Sequence, residues 1–386
     1  MDNQKLSAEN YPQISANALR PTYIEVNLSA LSSNFDAIKK RAGKSKIMPI
    51  LKANAYGHGL VKVAQYMENL GADYLGVAFL EEGILLRESG VKMPILVLGG
   101  ILGNQIPLFI ENDLTLTASS IEKLNLIDEA AENLKAKAKV HLKIDTGMER
   151  IGVHYYNANK FIEKAFGYKN IIVEGVFSHF ADSASSDLTH TYLQLERFND
   201  ALNFARKSGF EIPLKHISNS GGILQLPEAD FDLVRPGILL FGVYPSAEVK
   251  RTVPVTPALT WKSRVVYFKV IKPNHPVGYG MIWKSDKQIR AVTIPVGYGD
   301  GYFRSMTGKA EVLLNGKKYP VIGRISMDQI VVNIEGDSAF NNDEVVLIGR
   351  QGKEEISVAD LAEWAGTVPY EILTNINTRV PRVYLR

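Results

Sequence analysis

The stretch Pro49-Ile-Leu-Lys-Ala-Asn-Ala-Tyr-Gly-His-Gly59 holds the group whose chemistry stands out in this sequence. Ile47 to Leu51 is apolar and reads as a buried strand, so Lys52 stands where the strand runs out and its amine faces whatever lies above the sheet. Lysine is seldom buried without a purpose. Desolvation lowers an amine's pKa and makes it a nucleophile toward an aldehyde, the behaviour of a Schiff-base lysine. Gly57 and Gly59 allow a sharp turn, Tyr56 offers a hydroxyl, and a helix beginning near Leu60 aims its N-terminus at the same place, which suits a phosphate. For an isolated lysine the plainer reading would prevail: a solvated side chain at a strand end before an ordinary βα turn. The flanking AlaAsnAlaTyrGlyHisGly shifts the balance toward chemistry.

LysAlaAsnAlaTyrGlyHisGly resembles the pyridoxal-phosphate attachment motif of the alanine racemase family, and further matches extend to the last 20 residues. The resemblance implies a pyridoxal 5'-phosphate enzyme that interconverts L- and D-alanine and supplies D-alanine for peptidoglycan. Moving the α-hydrogen between opposite faces of a carbon needs an electron sink and two bases. By resemblance these bases are Lys52 and, from a partner subunit, Tyr279 in Pro276-Val-Gly-Tyr-Gly-Met-Ile-Trp283. Local sequence alone favours a turn tyrosine at 279. A phenol ordinarily titrates near ~10, so a tyrosine base needs positive charge or hydrogen bonding beside it.

His179 in Phe177-Ser-His-Phe-Ala181 and Arg235 in Leu233-Val-Arg-Pro-Gly-Ile238 are similar to the family's network for that purpose, with His216 supporting the arginine. On their own, both histidines read equally as satisfied core residues. In the family, the arginine meets the pyridine nitrogen, and a guanidinium cannot surrender its proton to it. The resemblance further implies cofactor contacts from Tyr56, Arg150, His179, Asn219, Ser220, Gly237, Ile238 and Tyr370, with Gly221-Gly222 loosening the backbone beside Ser220. In Lys143-Ile-Asp-Thr-Gly-Met-Glu-Arg-Ile-Gly152, Arg150 would also reach the substrate carboxylate. Lys143 there is the family's carbamylated lysine, or else a lysine paired with a nearby carboxylate. Met327 and Asp328 in Gly323-Arg-Ile-Ser-Met-Asp-Gln329 match a substrate-carboxylate motif, and Tyr298 in Pro295-Val-Gly-Tyr-Gly-Asp-Gly301 resembles the lining of the substrate access path. Gly221-Gly222, Phe241 and Ser326 depart from the usual alanines, tyrosine and cysteine, which bears on substrate size but removes no catalytic group.

Beside a non-catalytic cofactor-carrying barrel, which would not need the β domain with Tyr279, two rivals remain. One is a racemase of the same fold acting on serine or another amino acid. The other is a pyridoxal-phosphate decarboxylase, opposed by Arg235 and by the lack of the cysteine common in those enzymes.

Strand-like runs at 47–51, 74–78, 94–98, 114–118, 140–145, 171–178, 214–218 and 233–240 alternate with helical patterns. That rhythm predicts an α/β chain with a (β/α)₈ TIM-like barrel, although a doubly wound open sheet fits the alternation nearly as well. The polar residues favour the barrel, because Lys52, then Lys143, Asp145 and Arg150, then His179, Ser220 and Arg235 follow strand ends. Past Thr256 the helical stripes stop and strand-like runs follow, so residues 251–386 are expected to form a mainly β domain. Residues 21–250 would form the barrel and 1–20 an N-terminal extension. The family implies that the strand near 22–27 joins the β domain.

With 386 residues, 46% of them hydrophobic, the chain exceeds the usual size of one domain. Its net charge of +3 comes without single-sign runs, so neither nucleic acid nor a membrane is an expected partner. The sequence has no cysteine, which excludes disulfides and thiolate chemistry, and no metal site is expected. A polar N-terminus and the lack of a long apolar span point to the cytoplasm. No dinucleotide or Walker-type glycine pattern appears. Lys52 and Tyr279 fall in different domains yet must flank one carbon, which argues for a homodimer with shared sites around an amino-acid substrate.

Overall fold

The computed structural model describes residues 20–386, so the expected extension over 1–20 lies almost wholly outside the described residues. The chain divides into two units. One comprises Ser32–Ala55 and Leu60–Thr256; the other comprises residues 20–31, Tyr56–Gly59 and Pro257–Arg386.

The first unit is a closed parallel barrel of eight strands: Lys46–Ile47, Leu75–Val77, Ile95–Val97, Leu116–Ala118, Ala138–Asp145, Ile171–Phe177, Leu214–His216 and Leu233–Val234. Single bridges, Ile50 to Gly76 and Leu96 to Thr115, join neighbours that have no longer ladder. The seventh and eighth strands are tied by Asp232 N–H to Lys215 O and Arg235 N–H to Ser218 O, and Leu233–Val234 pairs with Lys46–Ile47 to close the ring. The alternative of an open doubly wound sheet is thereby excluded. Helices Leu28–Ala42, Leu60–Asn69, Leu80–Glu88, Ile121–Asn133, Ala158–Gly167 and Thr189–Lys207 alternate with the strands. Strand alternation explains why Ala138–Asp145 carries both apolar and polar side chains in the interior. Val140, Leu142 and Ile144 line one face, His141, Lys143 and Asp145 the other, and all six are buried.

The second unit is built on a ten-stranded sheet. Tyr23–Asn27 lies inside it, antiparallel to Leu259–Arg264 (Ile24 opposite Trp261) and parallel to Arg382–Leu385 (Val26 opposite Tyr384). Trp261 and Tyr302, both fully buried, meet edge to face at 5.8 Å in its core.

Several expected runs change course. The eighth barrel strand ends at Val234 rather than near 240, because Pro236 has no N–H to donate and the chain winds into a 3₁₀ turn over Ile238–Phe241. In the β domain the strand Lys317–Ile322 stops where Gly323 takes a φ of 67°. Helices Val358–Ala365 and Pro369–Asn375 occur where no helical stripe was expected. Their signals were local ones: Ser357 and Asp360 form a capping box, and Pro369 occupies the first turn.

Candidate active site

Lys52 does not simply end a strand. It opens a left-handed turn in which Ala53, Asn54, Ala55 and Tyr56 all have φ between 51° and 56°. An L-residue there costs about 1–2 kcal/mol, because Cβ crowds the following carbonyl oxygen. Four in succession persist only where surrounding bonds fix them. Ala55 N–H donates to Leu51 O at 2.7 Å, Leu60 N–H to Asn54 Oδ1 at 2.9 Å and Ala53 N–H to Glu82 Oε1 at 2.7 Å. The turn carries the Lys52 amine to the strand ends. Burial, then the positive charge of Arg150, with Arg235 adding and Glu82 opposing, holds that amine below its usual pKa.

Asp145 shapes the next loop. Its carboxylate accepts the backbone N–H groups of Gly147, Met148, Glu149 and Arg150, which curls Gly147–Arg150 around it. Burial alone would raise the Asp145 pKa; these four bonds hold it below the usual range. Arg150 is thereby set at the rim with its side chain exposed. Lys143, 4% exposed, has no carboxylate partner, contrary to the plainer expectation of an ion pair. Its ammonium donates to Ile144 O and sits 5.2 Å from the centre of the Phe177 ring. Burial, with Arg235 and Arg150 nearby, pushes it down to about 7. Gly152, at φ 117°, packs so closely that a Cβ there would fall 2.9 Å from Lys143 Cγ.

Arg235 is 3% exposed and likewise faces no carboxylate. It donates to Ser178 O and Ile217 O, to His179 Nδ1 at 3.1 Å and to His216 Nδ1 at 2.7 Å. Desolvation draws it down to about 9. Because a guanidinium can only donate, the tautomers follow. His179 and His216 carry their protons on Nε2, and His216 passes its N–H to His141 Nδ1 at 2.8 Å. His141 was not singled out in the sequence, although its position two residues before Lys143 put it on the same strand face. Burial and then Arg235 keep all three imidazoles neutral, His141 near about 3.

Ser220 and Asn219 face their own backbone. Ser220 Oγ accepts Gly237 N–H at 3.0 Å and Leu239 N–H at 3.3 Å. Asn219 Oδ1 accepts Gly221 and Gly222 N–H and the Ser183 hydroxyl. A Cβ at Gly221 would lie 2.6 Å from Ser183 Oγ, which explains a glycine at that position. Ile238 opens the neighbouring 3₁₀ turn. Lys52, Lys143, Arg150, His179, His216, Asn219, Ser220, Arg235, Gly237 and Ile238 thus all belong to the barrel unit.

Tyr56, Tyr279, Tyr298, Met327, Asp328 and Tyr370 belong to the other unit. Tyr56 and Tyr370 lie with ring centroids 6.2 Å apart, and burial pushes the Tyr370 hydroxyl up to about 12. Tyr279 is 71% exposed and Met327 52%. Arg379 holds the Met327 loop, donating to Met327 O and to Asp328 Oδ1 at 2.8 Å, and is itself held by the fully buried Asp300 at 2.7 Å. Asp300 and Arg379 were also missed. A carboxylate directly after Tyr298-Gly299 was the available signal for the first, whereas nothing local pointed to Arg379.

The barrel group combines an amine of lowered pKa with the cations Lys143, Arg150 and Arg235, none of them neutralised by a carboxylate within bonding distance. That donor set fits an anionic aldehyde, and pyridoxal phosphate is one. A closed barrel with such a lysine after its first strand defines a pyridoxal-phosphate-dependent barrel enzyme. Residues 26–245 match the alanine racemase N-terminal domain and residues 258–384 the alanine racemase C-terminal domain. The chain is 43% identical over 369 residues to the alanine racemase of Carboxydothermus hydrogenoformans, covering 95% of this chain and 100% of that one. It is 39% identical to the alanine racemase of Methanococcus maripaludis, covering 95% and 99%. Among solved structures it superposes on the Clostridium difficile alanine racemase with a TM-score of 0.91 (37% identity; 95% and 96% covered). It also superposes on the Bacillus anthracis alanine racemase with bound L-Ala-P, with a TM-score of 0.90 (34% identity; 95% of each covered). The chain belongs to the alanine racemase family and is a pyridoxal-phosphate-dependent isomerase.

Proposed function

We propose that this chain interconverts L- and D-alanine by a two-base mechanism, with Lys52 acting on one face of the substrate α-carbon and Tyr279 of a second copy on the other. The observation that carries the reading is the Lys52 amine, set on a fixed left-handed turn and kept below its usual pKa by burial and then by Arg150, which favours the free base that proton abstraction needs. The bound cofactor supplies the sink for the electron pair left at Cα when the proton departs. Lys52 Nζ takes or returns that proton on its side, and Tyr279 Oη does the opposite on its own. A phenolate needs positive surroundings, which the barrel rim offers through Arg150, Arg235 and the Nε2–H of His179. Arg235 would face the pyridine nitrogen and donate an N–H that it keeps, leaving the ring a weaker sink and restraining side reactions. Tyr56, Tyr370, Asn219, Ser220, Gly237 and Ile238 hold the phosphate. Arg150 takes the substrate carboxylate with Met327 and Asp328, and Tyr298 lines the approach. Lys143, carbamylated by carbon dioxide, becomes an anion that steadies Arg150.

The domain limits in this reading are a barrel over roughly 32–256 and a β domain that includes the strand Tyr23–Asn27. The enzyme works as a cytoplasmic homodimer and feeds D-alanine to peptidoglycan. No described helix is long and apolar enough to cross a membrane.

Mixing the inactive variants Lys52→Ala and Tyr279→Phe tests the shared site directly. Random reassortment leaves half the dimers mixed, each with one intact site, so about a quarter of the activity returns. A mixture that stays inactive although exchange of subunits is demonstrated rules the arrangement out. Racemisation assays with serine alongside alanine decide the substrate.

A further inference from the structure

The Glu82 carboxylate spans two elements of the barrel unit. On one side its Oε2 accepts the N–H groups of Ala78 at 2.7 Å and Phe79 at 3.3 Å, the ordinary work of an acid in the first turn of Leu80–Glu88. On the other, its Oε1 leaves its own helix and accepts Ala53 N–H at 2.7 Å, one residue after Lys52. A helix cap needs no such second bond. Ala53 is the first residue of the left-handed run.

We infer that Glu82 is a positioning residue for Lys52: it tethers the strained turn that carries the lysine and supplies negative charge that moderates the proton affinity of its amine. The charged and titratable groups around Lys52 are Arg150 after the fifth barrel strand, Arg235 after the eighth, His179 after the sixth and Glu82 from the helix after the second. Glu82 is the one anion among them. Without it the cations act on the amine unopposed, and Lys52 loses its proton at lower pH.

The inference rests on Lys52 as the cofactor lysine, so the test follows the cofactor rather than turnover. Apoprotein is mixed with pyridoxal phosphate across a pH series, and loading on Lys52 is read from absorbance near ~420 nm. In Glu82→Gln the midpoint of loading is expected to fall by about half a unit to one unit. Exchange of the Ala53 amide should also speed by about tenfold, because one amide oxygen cannot accept from both sides. Glu82→Asp keeps the charge but loses reach. Its midpoint should stay near that of the parent while Ala53 exchanges faster, and it replaces Glu82→Gln should that variant not fold. A parental midpoint in Glu82→Gln overturns the inference and leaves Glu82 a helix cap only, as does parental Ala53 exchange in Glu82→Asp. If the parent protein itself fails to load, the assignment of Lys52 fails instead.

Discussion

The rim of the barrel and the Tyr279 face of the β unit are built on opposite plans. At the rim, most of the bonds are internal: Arg235 makes four, Asp145 accepts four, and His179 and His216 have their tautomers fixed by Arg235. On the β unit, Tyr279, Met281, Ile282 and Met327 stand exposed, and the Met327 loop is held by Arg379 and Asp300. The first plan fixes its cationic groups in place before any ligand binds. The second presents groups outward, as residues intended for another chain's site would be presented. In the proposed two-copy site, this division would separate binding of the cofactor from completion of the reaction.

The contrast can be broken by experiment. Lys52→Ala should lower racemisation by at least about 10⁴-fold and abolish absorbance near ~420 nm, since base and attachment point go together. Tyr279→Phe should retain the cofactor band while losing about 10²–10⁴-fold in rate. Loss of the band in that variant would mean that the two regions are not separate in function. Removing the support alone, by Arg379→Ala, should raise KM for alanine about tenfold with the cofactor spectrum unchanged, because the Met327 loop loses its anchor. An unchanged KM would show that the loop holds itself.

The smallest effect concerns Lys143. Its pKa of about 7 lies below the 10.5 of a free lysine, so between these values the unfolded chain binds the extra proton and stability rises with pH. Below about pH 7 the buried charge exerts its full penalty. Added bicarbonate should raise Tm by about 2–4 °C near neutral pH, and Lys143→Met should erase both the pH slope and the bicarbonate effect. A bicarbonate effect that survives in Lys143→Met would place carbon dioxide elsewhere.

Much of the barrel was legible because its determinants are short-range. Strand-like runs of five to eight residues, each ending in or near a polar group, marked Lys52, Lys143, His179 and Arg235 in order. Their partners were harder to read. Glu82 looks like any acid in a first helical turn, and only the path of the folded chain brings its second oxygen to Ala53. His141 was concealed by an otherwise apolar strand, and Arg379 by 79 residues of separation from the aspartate it grips. The left-handed geometry at 53–56 had no signature at all. Alanine is a good helix former of the usual hand, so local propensity there points away from the structure adopted.

The strand Tyr23–Asn27 is made more than 200 residues before either of its neighbours, Leu259–Arg264 and Arg382–Leu385. Throughout translation of the intervening chain this strand has exposed edges and nothing to pair with. A newly made chain therefore cannot finish this sheet until Arg382–Leu385 has been made, and loss of that strand would leave Tyr23–Asn27 open along one side.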